Sequence, residues 1–335
     1  MKQTMKYRNL GLALLLAGFA YQSLAQSTPT QVQGTTPEAW QALTNQISVA
    51  VAASATTEYV AWKSNTSQEI LFSASSNGTA WSYPQIVGGT HGRTTWKAES
   101  ASAPALAVDN NTGYLWLVWN KGATGDIYYS TYNGTAWTFL QKVTGAQTYI
   151  YGIPSVGGGN GITVVWDANG ADAYYSNWND PGWSTPEIVG GSGWTAQVAS
   201  ATSLTNALPG AGLYWANISG QVYGAAYLAV GWVGPVAIGE GCGWTAYGSP
   251  AAADFDDGEN SVLFWSNGVV NYTYETFEGC GYADPASVSG TGLINGFPAV
   301  AVGPTLSILA WTQYRKSGSA TSTVWYINPL TLPGL

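Results

Sequence analysis

The chain has 335 residues, of which 46% are hydrophobic and only 8% charged, with eighteen acidic residues against ten basic ones. A formal charge of −8 lacks the basic surface that a phosphate backbone demands, so nucleic acid is not an expected partner. So little charge leaves hydroxyls, amides and aromatic edges to solvate the surface, which suits a β-rich extracellular protein better than a cytosolic enzyme.

The first segment reads as an export signal. Lys2, Lys6 and Arg8 precede the apolar run Leu10 to Ala20, and Ser23, Leu24 and Ala25 offer a cleavage site before Gln26. Residues 1–25 are therefore expected to be removed, leaving seven basic against eighteen acidic residues, a charge of −11, and a secreted domain over 26–335. Every later apolar run is broken within about eight residues, well short of the roughly 20 that a membrane helix needs, so no membrane span is expected.

From there the chain repeats. Six tryptophans close apolar segments at Trp62, Trp119, Trp166, Trp215, Trp265 and Trp311, spaced by 57, 47, 49, 50 and 46 residues. The second copy shows the unit in full: a segment at 103–108, a turn over 109–113, a segment at 114–119, another at 126–130, an Asn133-Gly134 turn and a last segment from Trp137 to Val143. Four short runs rich in β-branched and aromatic residues, separated by turn residues, read as a four-stranded meander. The Asn-Gly turn recurs at Asn77-Gly78 and supplies the positive φ of a tight hairpin.

Six such units of about 50 residues predict an all-β, six-bladed β-propeller of four-stranded antiparallel blades. The start of the mature chain, Ser27 to Gly34, looks like the fourth strand of other copies (184–191 and 81–88), whereas the sixth copy ends with its third strand near Pro329. The N-terminal strand is thus expected to complete the last blade and close the ring.

The stretch Ser130-Thr131-Tyr132-Asn133-Gly134-Thr135-Ala136-Trp137 resembles the Asp-box hairpin of sialidase-type propellers: Ser130, Gly134 and Trp137 match the pattern, and Tyr132 stands where the aspartate belongs. Weaker versions occur at Gly78 with Trp81 and at Ser176 with Trp183. The resemblance implies a sialidase-like or lectin-like propeller fold, because this hairpin is structural in that family. Sialidase activity needs an arginine triad on the substrate carboxylate, and only Arg93 and Arg315 remain in the mature chain.

Chemistry-bearing residues are few. Glu69, Asp126, Asp167 and Asp172 sit at loops around the second and third strands, where a pair of carboxylates would allow glycoside hydrolysis or lyase chemistry. His91 is the single histidine, which argues against a zinc or Ser-His-Asp site. Asp254, Asp256 and Asp257 alternate like Ca²⁺ ligands but sit where a hairpin must turn; no other cofactor is expected. Cys242 and Cys280, each between glycines, read as one disulfide of an exported protein. Six Asn-x-Ser/Thr sequons, at Asn65, Asn77, Asn110, Asn133, Asn217 and Asn271, fall at turns or loop edges.

The links between blades carry a recurrent aromatic: Trp40, Trp96, Tyr149 or Tyr151, Trp194 and Trp244. These links share a face with the loops after the second strands, and that face also receives Lys63, Arg93, Lys97, Lys121, Arg315 and Lys316. Aromatics with scattered cations suit sugar rings, whose C–H faces stack on tryptophan, so the aromatics with Arg93 and Arg315 are the expected ligand-binding set. The expected function is a non-catalytic secreted propeller binding glycans or an extracellular protein partner. A carboxylate-dependent glycoside hydrolase and a self-assembling subunit of a surface layer or filament are the alternatives.

Overall fold

The computed structural model describes residues 28–34, 40–44, 46, 48–147, 152–168, 172–199, 201–206, 210–238, 246, 248–255, 260–274, 285–291, 294, 296–314 and 322–332. The export segment, Cys242 and Cys280 lie outside them. Six antiparallel blades follow in chain order. The first consists of Ala50–Ala53, Glu58–Lys63, Ile70–Ser75 and Gln85–Ile86. The second consists of Ala105–Val108, Leu115–Asn120, Asp126–Tyr132 and Gln141–Gln147. Ser155–Gly157, Thr163–Ala168 and Asp172–Asn179 begin the third, whose outer strand is split into Gly182–Trp183 and Glu187–Ile188. Thr202–Leu204, Gly212–Ala216, Val222–Leu228 and Gly231–Ile238 form the fourth. The fifth is Ala251–Phe255, Asn260–Ser266, Val270–Tyr274 and Ala286–Ser287. Among the described residues helix is confined to two three-residue 3-10 turns, and no helix is long and apolar enough to cross a membrane.

The sixth blade takes Ala299–Val302, Ser307–Tyr314 and Ser322–Ile327 from the C-terminal end and its outer strand, Thr30–Gln31, from the N-terminal end. Thr30 pairs with Tyr326 and Gln31 with Trp325, and the Val32 amide donates to the Val324 carbonyl at 2.8 Å. The ring closes as the repeat implied.

A four-stranded blade has two apolar faces, and each can be buried only against a neighbouring blade. The core is accordingly six clusters, one per seam, each holding one anchor tryptophan: Trp62 between blades six and one, Trp119 between one and two, and so on around to Trp311 between five and six. All six are at most 2% exposed. Strand alternation sends successive residues to opposite seams. Tyr128 packs toward blade one and Tyr129 toward blade three; Tyr174 and Tyr175 divide likewise between blades two and four.

The hairpin between the third and fourth strands of one blade clamps the third-strand aromatic of the blade before it. Tyr132 and Trp137 meet Phe72 at 5.2 and 5.3 Å, Trp178 and Trp183 meet Tyr129 at 5.8 and 5.4 Å, and Tyr227 and Trp232 meet Tyr175 at 6.0 and 5.7 Å. This explains the departure from the Asp-box pattern at Tyr132, whose ring is needed in the seam. Asn133 caps the turn instead, its Oδ1 accepting from the amides of Thr135 and Ala136 at 3.0 Å each. Ser130, Ser176 and Ser73 each donate to a backbone carbonyl across their hairpins, at 2.6, 2.8 and 2.7 Å. In blade one the bond spans nine residues rather than eight, so Ser73 is the counterpart of Ser130 and the sequence register at Gly78 and Trp81 slips by one. Because Trp137 belongs to the clamp, the fourth strand of blade two begins at Gln141 and not at Trp137.

Where the six first strands crowd around the axis, alanines line the channel together with Val51, Leu106, Val156, Leu204 and Val300. Ala50, Ala52, Ala251, Ala252 and Ala253 are all buried. Pro104, Pro154, Pro250 and Pro298 sit immediately before or at the head of these strands, at an edge that faces the channel and needs no ladder partner.

Stability should respond along the seams. Trp183→Ala removes a ring that contacts Trp116, Tyr129 and Trp178, and is expected to cost about 3 kcal/mol in urea unfolding. Ala252→Leu overpacks the inner end of the seam between blades four and five, where Ala252 packs with Leu263 and Trp265, and is expected to cost about 1–3 kcal/mol by the same measurement; an unchanged midpoint would show slack there.

Candidate ligand-binding face

Three of the links show, among the described residues, a small hairpin hung from an outer strand. In each the recurrent tryptophan pairs across the hairpin with a glycine: Gly34 faces Trp40, Gly89 faces Trp96 and Gly191 faces Trp194. Gln33 precedes the pairing glycine in the first hairpin, whereas the other two carry a second glycine there, Gly88 and Gly190. At Gly191 the pairing glycine makes room for the indole laid across it, whereas at Gly89 a Cβ would only be in ordinary contact. A Cβ on Gly191 would stand 2.6 Å from Trp194 Nε1, and one on Gly89 3.5 Å from Trp96 Nε1.

The hairpins decide the fate of the expected aromatic set. Trp96 is 6% exposed and sits inside the seam of blades one and two, its ring 6.0 Å from Phe139. Trp194 is half-buried against the seam of blades three and four. Arg93 is exposed at the tip of the hairpin formed by Gly88–His91 and Thr94–Lys97, and the neighbouring His91 ring lies 4.9 Å from Phe139. Trp40 is placed by its backbone pairing with Gly34. Tyr149, Tyr151, Trp244 and Arg315 fall as follows: the first three lie outside the described residues, and so does Arg315.

The candidate carboxylates prove to be equivalent. Glu69, Asp126 and Asp172 each stand two residues before the third-strand residue that packs toward the preceding blade: Leu71, Tyr128 and Tyr174. In blade four Gln221 holds the same position before Tyr223. Each is held by the blade's own hairpin or outer strand. Lys97 Nζ lies 2.5 Å from Glu69 Oε1, Lys142 Nζ 2.6 Å from Asp126 Oδ1, Gln147 Nε2 3.0 Å from the same oxygen, and Thr195 Oγ1 2.9 Å from Asp172 Oδ1. The Gln221 amide donates to the carbonyls of Ile238 and Val222.

Electrostatics follow from these contacts. The Lys97 hydrogen bond outweighs burial and holds the Glu69 carboxyl below its ordinary value. Burial pushes Asp126 up, but hydrogen bonds from Lys142 and Gln147 more than offset it, and the carboxyl ends below its ordinary value. Both are hydrogen-bond acceptors at neutral pH and poor proton donors. Asp167 is buried beside the third anchor tryptophan.

Beneath these polar heads lie aromatic platforms. Tyr128 stacks on Trp119 at 6.2 Å, Tyr174 on Trp166 at 6.3 Å and Tyr223 on Trp215 at 5.9 Å, each tyrosine half-buried. Lys121 Nζ stands 4.9 Å over the Tyr128 ring. Sequence reasoning missed these tyrosines; their signal is an aromatic eight or nine residues after the anchor tryptophan of the same blade.

The axial channel offers less. Its two ends are cavities of about 120 and 110 Å³, below the roughly 300 Å³ of a small-molecule pocket. Asp254 lines the first and accepts from Asn206 Nδ2 at 2.9 Å and Ser261 Oγ at 2.8 Å. Among the described residues no three His, Cys, Asp or Glu side chains converge as a metal site, and Asp256 and Asp257 lie outside them.

No family model matches the chain, and no curated protein matches it in sequence. Solved structures do match in fold. An Aleuria aurantia lectin mutant in complex with Fucα1-6GlcNAc superposes with a TM-score of 0.59 at 14% identity, covering 86% of this chain and 98% of that one. The intramolecular trans-sialidase from Ruminococcus gnavus gives 0.58 at 12% identity, covering 87% and 95%. The NanB sialidase from Streptococcus pneumoniae gives 0.59 at 11% identity, covering 92% and 70%. At these identities the likeness is one of architecture: this chain is a six-bladed β-propeller of the kind that lectins and sialidases share.

Proposed function

We propose that the protein is a secreted glycan-binding propeller whose ligands lie at the seam mouths of blades two to four. The observation that carries this reading is the repeated pairing of a polar head (Asp126, Asp172, Gln221) with a half-buried tyrosine two residues on (Tyr128, Tyr174, Tyr223). A sugar ring needs an apolar face for its C–H groups and acceptors or donors for its hydroxyls, and each mouth provides both. Arg93, Lys121 and the exposed edge of Trp194 border the same face. Trp96 belongs to the packing of the seam and serves the site by holding its hairpin. The lectins among the structural neighbours support the reading, and the depressed carboxyls of Glu69 and Asp126 favour binding over hydrolysis, which needs a proton donor.

A glycan array with the purified protein is expected to give hits whose affinity falls tenfold or more in Asp126→Asn with Asp172→Asn, while the melting temperature stays put. No bound glycan, or equal binding by the double variant, would overturn the reading. Because Asp126 is held below its ordinary value of 3.8, its contribution to affinity is expected to be flat from about pH 5 to 7 and to be lost only as pH falls below that ordinary value.

A further inference from the structure

The first blade breaks the repeat at one buried position. Four residues before the anchor tryptophan, blades two to six carry Leu115, Ile162, Ala211, Ser261 and Ser307, none of them ionisable. Blade one carries Glu58, which is 4% exposed. Strand alternation places Glu58 on the same side as Val60 and Trp62, both packed in the seam with blade six. The two ends of the chain join within blade six, where Thr30–Gln31, Val32, Ala42 and Leu43–Thr44 pair along Ser322–Ile327, and the blade-one face carrying Val60 and Trp62 packs on that closure through Val32, Ala42, Val324 and Tyr326.

Glu58 has little to keep it charged there. Its Oε2 has no hydrogen-bond partner. Gly78 of the blade-one hairpin sits directly above, where a Cβ would come within 3.1 Å of Oε2. Ala53 and Ser75 flank it across the sheet. From blade six the titratable group facing it is Tyr326, whose ring packs 5.2 Å from Trp81 and whose hydroxyl is pushed up by burial and further by the Glu58 charge. No cation is paired with Glu58 among the described residues.

We propose that Glu58 is a proton-operated latch on ring closure: protonated, it lets blades one and six meet; ionised, it drives the N-terminal strand off the sixth blade. Burial raises the carboxyl from its ordinary 4.5 to about 7. A folded-state value above the unfolded one means that closure is favoured at low pH and weakens as pH rises from the ordinary value through about 7. The opening equilibrium is then expected to grow by roughly 10²-fold between about pH 5 and pH 8.5.

Amide hydrogen exchange, corrected for the intrinsic rate at each pH, reads the latch directly. Protection of the Val32 and Val324 amides is expected to drop by roughly 10²-fold over that range in the wild type, with the amides of 164–166 in blade three unchanged. Glu58→Gln and Glu58→Leu, the latter matching Leu115, are expected to abolish the drop. A drop that persists in these variants, or that blade three shares, overturns the proposal. Should neither variant fold, infrared titration of the wild-type carboxyl decides: a protonated Glu58 at about pH 5.5 supports the latch, and an ionised one refutes it.

Discussion

The constraint on which this molecule depends is that a four-stranded blade cannot bury either of its faces by itself. Each face must find a neighbour, and only a closed ring leaves none over. The anchor tryptophans are the consequence: one fully buried indole per seam, joined in five of the six clusters by an aromatic from a third strand and, in three seams, by a clamp of two rings from the next hairpin. The seams therefore carry the hydrophobic stabilisation.

The same geometry makes the candidate site. Because the blades repeat, a residue at the head of each third strand arrives at an equivalent seam mouth, although Glu69, Asp126 and Asp172 are 46 to 57 residues apart in sequence. The hairpins that link the blades, and the outer strands they hang from, then return a cation, an amide or a hydroxyl to each carboxylate. A structural device, the glycine-tryptophan hairpin, thereby helps to set the polarity of a surface. Glu58 shows the reverse case, a polar group placed where the repeat calls for an uncharged one, at the seam on which closure depends.

The sequence by itself determined the architecture. Six anchor tryptophans at near-constant spacing, Asn-Gly turns, and a fourth-strand pattern at the wrong end of the chain were enough to state six blades and their closure, because each of these signals is local: a strand period, a turn's φ, a repeat length. What only the tertiary structure decided is which aromatics serve packing and which stay near solvent. Trp96 and Trp194 occupy the same place in their hairpins, yet one is inside a seam and the other half-exposed, since burial depends on what the next blade sets against them, Phe139 in one case and the cluster around Trp232 in the other. The tyrosines stacked on the anchors and the unpartnered carboxyl oxygen of Glu58 were hidden for the same physical reason: their surroundings are made by residues of another blade, which no local pattern reveals.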